Sequence, residues 1–207
     1  MNSADVIKAL RSISASLTEN CDRLTELDQA IGDGDLGVSM RNGFEAVVRE
    51  LKGSQETNLG LLIRAASSAL NENSPSTLGT VLSIMMIGMA KSLKGKSEAS
   101  LAEYAEASKA GMELVMRRAD SRIGEKTILD AIYPAVEALN EKAGDGWNEA
   151  LKAAAEAAAA GSENTRTMKA QHGRAAYYGE KSIGMLDGGS VVGRLIFEAI
   201  YKCALND

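Results

Sequence analysis

Three carboxylates lie within eight residues of one another, at Asp28, Asp33 and Asp35. Three glycines punctuate the same stretch, residues 28–37, and glycine lets the backbone come close to a ligand. Carboxylates held together repel one another, so such a loop must scatter them into water, protonate one or bind a cation. Oxygen ligands in this number suit Mg²⁺ or Ca²⁺, and Mg²⁺ usually combines one or two carboxylates with waters and substrate phosphates.

The same residue types also form solvated turns between helices. A helix-loop-helix calcium site is excluded, because the closing glutamate position counted from Asp33 is Phe44. A P-loop is excluded as well: Gly95-Lys96-Ser97 is like its tail, but Ala90 stands where the first glycine is required. The residues alone therefore leave a solvated turn and a metal site open.

Composition predicts one helical domain over residues 1–207. Apolar residues make up 45% of the chain, helix-favouring types dominate, and Pro75 and Pro134 are the only prolines. The net charge of -5 argues against a general nucleic-acid binder. It does not exclude a phosphate held through a metal ion, because the ion carries the positive charge.

Several functional classes are excluded by what the chain contains. No apolar run is long enough to cross a membrane and residues 1–5 are polar, so we expect no membrane segment, no signal peptide and a cytoplasmic location. We expect Cys21 and Cys203 to be reduced, buried residues. His172 is the only histidine, which excludes a multi-histidine zinc site.

Apolar periodicity predicts an all-α fold, an antiparallel bundle or barrel of about eight helices. One apolar stripe from Val6 to Leu27 indicates a single long first helix that ends at the aspartates. Further helices are predicted over 37–53, 59–70, 80–93, 100–117, 127–139 and 147–160, then a short piece to about residue 170 and a last helix after Gly189. Gly161 and Ser162 are expected to end the helix at 147–160.

The helix predicted at 80–93 is apolar nearly all round, which indicates a central, buried helix with its methionines in the core. Four connections carry unusual polar and glycine-rich sequences: 28–37, 71–79, 119–127 and 172–190. We expect the chemistry of the protein in these loops, at one end of the bundle.

The pattern Asp28-x4-Asp-Gly-Asp-x-Gly, followed by Met40-x-x-Gly43-Phe44, resembles the nucleotide-binding L subunit of dihydroxyacetone kinases. The same unit is the C-terminal domain of single-chain ATP-dependent kinases. In that family the three aspartates hold two Mg²⁺ ions, which bind the phosphates of ADP or ATP. The resemblance implies that Asp28, Asp33 and Asp35 are metal ligands, with two Mg²⁺ and ADP or ATP as cofactors.

The resemblance extends to two other loops. Residues 73–80 occupy the place of the family's phosphate-contacting small-residue loop, which implies roles for Ser74 and Thr77. Residues 124–134 look like the family's GxKTxxDA..P segment, where Thr127 can cap a helix whose N-terminus favours phosphate. A well-capped helix without a ligand explains Thr127 nearly as well. We expect Lys126 to be solvated, with a phosphate contact as the alternative.

Residues 167–184 are similar to the family signature T-M..A..GRASY.GERS.G. The similarity implies that Met168 covers the adenine and that Gly173 and Arg174 lie at the phosphates. For Arg174, a tie to Glu180 or to backbone carbonyls remains an equal alternative. Asp187 and Gly188 begin what the family writes as Asp-Pro-Gly-Ala, and we expect them in the nucleotide site.

Two positions depart from the family pattern. Leu36 stands where the family usually has histidine, and Gly188 stands where it has proline. Neither change removes a predicted metal ligand. Both affect the edges of the site, where the sugar and the base would lie, and so bear on the substrate and on the partner subunit.

The resemblance implies a phosphotransferase subunit for a short ketose. Its sugar is held on a separate K subunit through a histidine, and nothing in this chain resembles that site. We therefore expect nucleotide binding alone and sugar phosphorylation only with the partner. A phosphotransferase-system phosphoryl donor and a homodimer stay open. The alternatives are a non-catalytic nucleotide-sensing or regulatory protein and a helical protein with a structural cation.

Overall fold

The computed structural model describes residues 1–119 and 121–205. Within these residues the fold is helical, and the extended pairing there is an isolated bridge between Asn2 and Glu98. The helices are α1 (Ser3–Glu19), α2 (Cys21–Ile31), α3 (Leu36–Glu50), α4 (Leu59–Asn73), α5 (Thr77–Ser92), α6 (Leu101–Ala119), α7 (Leu129–Glu141), α8 (Trp147–Asn164) and α9 (Gly188–Leu205). Two 3₁₀ segments, Thr165–Thr167 and Arg174–Ser182, lie between α8 and α9.

Eight of these helices close into a barrel. Helices α3 to α9 each pack against the next in chain order, and α1 packs against both α3 and α9, which closes the ring. The short helix α2 lies against α3 and α9. The predicted all-α fold of about eight helices is confirmed. Residue 120, in the predicted loop 119–127, lies outside the described part of the chain.

Short connections bring alternate loops to the same end of the barrel. At one end, the backbone N–H of Leu59 donates to Lys96 and that of Ala99 donates to Met1. The α2–α3, α4–α5, α6–α7 and α8–α9 connections lie at the other end, so the four loops singled out from the sequence are neighbours. No helix in the described residues is long and apolar enough to cross a membrane.

The first helix is not continuous, contrary to expectation, because α1 ends at Glu19 and α2 begins at Cys21. The side chain of Asn20 donates to the carbonyl of Ser16 at 2.8 Å, and the Asn20 backbone N–H donates to the same carbonyl at 3.1 Å, so Asn20 caps the end of α1. Gly161 also does not end α8 as expected. A Cβ at Gly161 would meet the Asp130 carbonyl, so glycine allows α7 and α8 to approach closely.

Helix α5 was predicted to be central and buried with its methionines in the core; it is instead one of the eight helices of the ring, and its methionines pack against the core. Only Gly79, Leu82, Ser83, Gly88 and Ala90 are buried, and its methionines are partly exposed. The centre of the barrel is a cavity of about 180 Å³ lined almost entirely by apolar side chains, including Met85, Met86 and Met89. One face of α5 contacts its neighbours and another faces this cavity, which explains why the helix is apolar nearly all round.

Candidate functional site

The aspartate loop is shaped by one of its own carboxylates. Asp28 lies in the last turn of α2, and its Oδ2 accepts from the backbone N–H groups of Gly34 at 2.8 Å and Asp35 at 3.1 Å. Gly34 has a φ of +79°, a conformation that residues with a side chain rarely adopt. This turn brings Asp33 and Asp35 back toward Asp28.

The structure brings the three predicted metal ligands together. Asp28, Asp33 and Asp35 each present a carboxylate oxygen within 4.8 Å of the other two. Asp35 occupies the N-cap position of α3, yet its side chain makes no capping bond. Burial, and then the charges of Asp33 and Asp28, raise the pKa of Asp35 above its ordinary value. A divalent cation would relieve this repulsion, so the donor set fits Mg²⁺.

Arg174 contacts this cluster directly. Its Nη2 lies 2.6 Å from Oδ2 of Asp33, and the side chains are 66% and 36% exposed. Glu180, the alternative partner considered from the sequence, instead pairs with Lys169 at 3.0 Å. Arg174 therefore lies where it would meet an anion held at the aspartates through a metal ion, and in the free protein it neutralises one of the aspartates.

A pocket of about 490 Å³ opens beside the aspartates, with a mixed polar and apolar lining. Eight of the eleven predicted site residues line it: Asp28, Asp33, Asp35, Thr77, Gly173, Arg174, Asp187 and Gly188. Ser74, Thr127 and Met168 are not among its lining residues. Their assignment to the nucleotide stays a prediction.

Ser74 does not line the pocket but contacts Ser76, which does. Its side chain is fully buried, and its Oγ lies 2.8 Å from Oγ of Ser39 and 3.3 Å from Oγ of Ser76. Ser76 lines the pocket and caps α5 by accepting from the N–H of Gly79 at 3.1 Å. The N-terminus of α5 thus meets the pocket, and helix N-termini favour bound anions.

The loop before α7 is folded around a buried carboxylate. Asp130 accepts from the N–H of Thr127 at 2.7 Å and from that of Gly124 at 2.5 Å. Thr127 accepts through Oγ1 from the N–H of Leu129 at 3.2 Å, a capping contact. Lys126 was expected to be solvated, and this is wrong, since it is 3% exposed and its ammonium donates to two backbone carbonyls.

Asp187 lies at the start of α9, on the pocket wall. Its Oδ2 accepts from the N–H of Ser190 at 2.6 Å, the geometry of a helix N-cap. Burial raises the pKa of Asp187 to about 7, although the Ser190 N–H and the charge of Lys126 oppose the shift. A cation or an N–H donor in the pocket would favour the charged carboxylate.

The two departures from the family pattern lie against each other. Leu36 is buried at the start of α3, and its Cδ2 would lie 2.6 Å from a Cβ placed on Gly188. Leu36 therefore lies against the space that a side chain at position 188 would occupy. Sequence reasoning placed both at the edge of the site, and both line the pocket.

Sequence reasoning missed some lining residues. Ser76, His172, Ala175 and Gly189 line the pocket without having been assigned to it. Nε2 of His172 lies 2.6 Å from Oε2 of Glu125, so this histidine joins two loops. Its position one residue before the Gly173-Arg174 motif was the available signal.

Comparison with known proteins gives a consistent result. A family model described as the DAK2 domain matches residues 30–202, which includes Asp33 and Asp35 and begins two residues after Asp28. The "PEP-dependent dihydroxyacetone kinase 1, ADP-binding subunit DhaL" of Listeria innocua is 31% identical over 201 residues, covering 97% of this chain and 96% of that protein. The corresponding Escherichia coli subunit is 31% identical over 169 residues, covering 81% and 80%.

Solved structures agree at the level of the fold. The native dihydroxyacetone kinase of C. freundii superposes with a TM-score of 0.78 at 24% identity. The match covers 96% of this chain and 34% of that one, so the chain spans about a third of that kinase. The same kinase in complex with AMP-PNP and Mg²⁺ gives a TM-score of 0.77. With most of its length matched by the family model and by relatives 31% identical, the chain belongs to the DAK2 domain family.

Proposed function

We propose that this chain binds ADP or ATP with two Mg²⁺ ions and is the nucleotide-handling subunit of a dihydroxyacetone-type, short-ketose kinase. The observation that carries the proposal is the set of three carboxylate oxygens within 4.8 Å of one another at the pocket. The names of two similar proteins, ADP-binding subunits of dihydroxyacetone kinases, support it.

The residues around the pocket suit phosphoryl transfer, which needs positioning and charge neutralisation more than covalent help from the protein. A metal ion held there would supply positive charge against the negative charge that develops on the phosphates in transfer. Asp28, Asp33 and Asp35 would hold the ions, and Arg174 would donate to a phosphate oxygen. The N–H groups at the start of α5 would favour the remaining negative charge.

A sugar site is assigned to a separate K subunit. His172, the only histidine of the chain, pairs with Glu125 at 2.6 Å and is therefore already engaged. The nucleotide is either a resident ADP rephosphorylated by a phosphotransferase-system protein or an exchangeable ATP. Slow dissociation of ADP on the timescale of turnover would identify the first arrangement.

The experiment is reconstitution with a recombinant K subunit of a dihydroxyacetone kinase. The chain is mixed with that subunit, dihydroxyacetone, Mg²⁺ and either ATP or ADP together with a phosphorylated phosphotransferase-system protein, and dihydroxyacetone phosphate is measured. We expect product only when both subunits are present, none with Asp33→Ala, and unchanged activity with Asp22→Ala, a change on the exposed face of α2. Product from the chain alone, or full activity with Asp33→Ala, contradicts the proposal.

The second candidate is a non-catalytic, nucleotide-sensing protein with the same fold. The paired departures at Leu36 and Gly188, on the pocket wall, favour it. This candidate predicts Mg²⁺-dependent ADP binding with no phosphoryl transfer in either arm of the reconstitution.

A further inference from the structure

A long segment without α-helix carries much of the pocket wall. This segment, residues 165–187, runs from the end of α8 to the start of α9, and we call it the strap. His172, Gly173, Arg174, Ala175 and Asp187 of the strap all line the pocket. Whatever fixes the strap therefore fixes the side chains offered to the ligand.

The middle of the strap, residues 171–181, contains no buried residue and so has little packing to hold it in place. Three glycines of the strap have positive φ: 60° at Gly173, 53° at Gly179 and 91° at Gly184. A Cβ at any of the three would meet nothing within 4 Å, so the backbone there is open to solvent. Tyr177, between the first two glycines, is 92% exposed. These features are typical of a segment that moves unless its ends are anchored.

Both ends of the strap are anchored to one side chain from another loop. The ammonium of Lys126 donates to the carbonyl of Thr165 at 2.6 Å and to the carbonyl of Met185 at 2.5 Å. These two residues are 20 positions apart in sequence and form the feet of the strap. The N–H of Gly184 also donates to the carbonyl of Arg166 at 2.7 Å, which joins the feet beside the ammonium.

An ammonium suits this position for electrostatic reasons. Thr165 is the C-cap of α8, where carbonyls lack helical partners and the negative end of the helix dipole lies. Among residues 1–119 and 121–205, no carboxylate lies within ion-pair distance of Lys126, so the charge is satisfied by carbonyls. Burial lowers the pKa of Lys126, while the charges of Asp187 and Asp130 act in the opposite direction.

The backbone of Lys126 is itself unusual. Its φ is +61°, and it is the only residue other than glycine with positive φ in the described part of the chain. Such a conformation is unfavourable for a residue with a Cβ and persists where the surroundings impose it. Here it accompanies a lysine whose side chain is buried between the two feet of the strap.

We propose that Lys126 is a positioning residue. By binding the carbonyls of Thr165 and Met185 it holds the two ends of the strap together, and it thereby positions Arg174 and Asp187 at the pocket. Lys126 does not itself contact the nucleotide in this arrangement. The assignment to ligand binding rests on the proposed function, whereas the effect on the strap does not.

The test compares Lys126→Met, which removes the ammonium and keeps an unbranched chain, with Lys169→Met. Lys169 lies in the strap and makes an exposed ion pair with Glu180, so it controls for loss of a lysine in the same region. Hydrogen–deuterium exchange is followed in the strap and in α4, and binding of ADP with Mg²⁺ is measured by calorimetry. We expect faster exchange confined to the strap and affinity weaker by about tenfold or more in Lys126→Met only.

Unchanged strap exchange in Lys126→Met overturns the proposal, and so does equal acceleration in the strap and in α4. If the wild-type chain binds no ADP, the proposed function fails while the exchange comparison still decides the role of Lys126.

If Lys126→Met does not fold, a measurement on the wild-type protein still tests the proposal. The N–H groups of Met168, Gly184 and Asp187 lie next to the feet. They should exchange much more slowly than the N–H groups of residues 175–179 in the middle of the strap. If these N–H groups exchange as fast as those in the middle of the strap, Lys126 does not hold the two ends of the strap together.

Discussion

Asp33 forms an ion pair with Arg174 and is also a candidate metal ligand. In the free protein the guanidinium lies 2.6 Å from the Asp33 carboxylate and lowers the negative charge of the cluster. Removing it leaves the aspartates more attractive to Mg²⁺ and deprives a bound phosphate of a donor. The pair is partly exposed, so each effect is modest.

We therefore expect Arg174→Gln to bind Mg²⁺ alone more tightly, by a factor of about two to five. Affinity for ADP in saturating Mg²⁺ should fall. Calorimetric titration measures both, and Arg117→Gln, in an exposed pair on α6, is the matched control. Weaker binding of Mg²⁺ alone by Arg174→Gln would show that the ion pair helps to build the site.

Asp187 makes the stability of the metal-free protein depend on pH. Its pKa rises from 3.8 to about 7 on folding, so between these values the folded chain keeps a proton that the unfolded chain has released. The free energy of unfolding should therefore fall as the pH rises through this window, by roughly 1.4 kcal/mol per pH unit at most. Above about pH 7 this contribution no longer changes.

The reference is Asp187→Asn, which keeps an oxygen acceptor for the Ser190 N–H and does not titrate. Urea unfolding in EDTA at several pH values between 4.5 and 7.5 gives the difference between the two proteins. We expect the wild type to lose stability relative to the variant with rising pH. A difference that is flat across the window would show that the carboxylate is already charged in the folded protein.

At the scale of elements, glycines set how closely the barrel helices approach. Helices α5 and α6 meet at Gly88 and Gly111, and a Cβ on Gly88 would lie 2.5 Å from the Gly111 Cα and 2.9 Å from the Ala110 carbonyl. These are backbone atoms, which cannot move aside as a side chain can. The two helices must separate to accept even a methyl group.

We expect Gly88→Ala to destabilise the protein by about 1–3 kcal/mol, the usual cost of overpacking. Gly144→Ala is the control, because a Cβ there meets nothing within 4 Å, and it should change stability by less than about 0.5 kcal/mol. Thermal and urea unfolding measure both. Equal stability of the two variants would mean that α5 and α6 adjust freely.

Helix type and approximate position followed from apolar spacing. Helix α4 was predicted over 59–70 and runs from Leu59 to Asn73, and α9 was predicted to begin after Gly189 and begins at Gly188. The break at Asn20 could not be predicted from spacing, because the apolar stripe continues through it. The continuation of α8 through Gly161 depends on contact with α7, which the local sequence does not reveal. In α8, a tertiary contact overrides the local preference for a break.

For the whole molecule, closing the helices into a ring brings three separate loops, 28–37, 71–79 and 172–190, to one pocket. The aspartate triplet was evident from sequence because its members are close along the chain. The burial of Lys126 was not, since it depends on carbonyls 39 and 59 residues away. The net charge of -5 also becomes compatible with phosphate binding once a metal, Arg174 and the α5 N-terminus meet at one pocket.

The central claim is that the aspartate cluster binds a nucleotide through Mg²⁺, and calorimetric titration of the purified chain with ADP tests it most directly. The account predicts binding in Mg²⁺, loss of that binding in EDTA and in Asp33→Ala, and unchanged binding in Asp22→Ala. A folded chain that binds no ADP in Mg²⁺, or that binds it equally well in EDTA, would contradict the account.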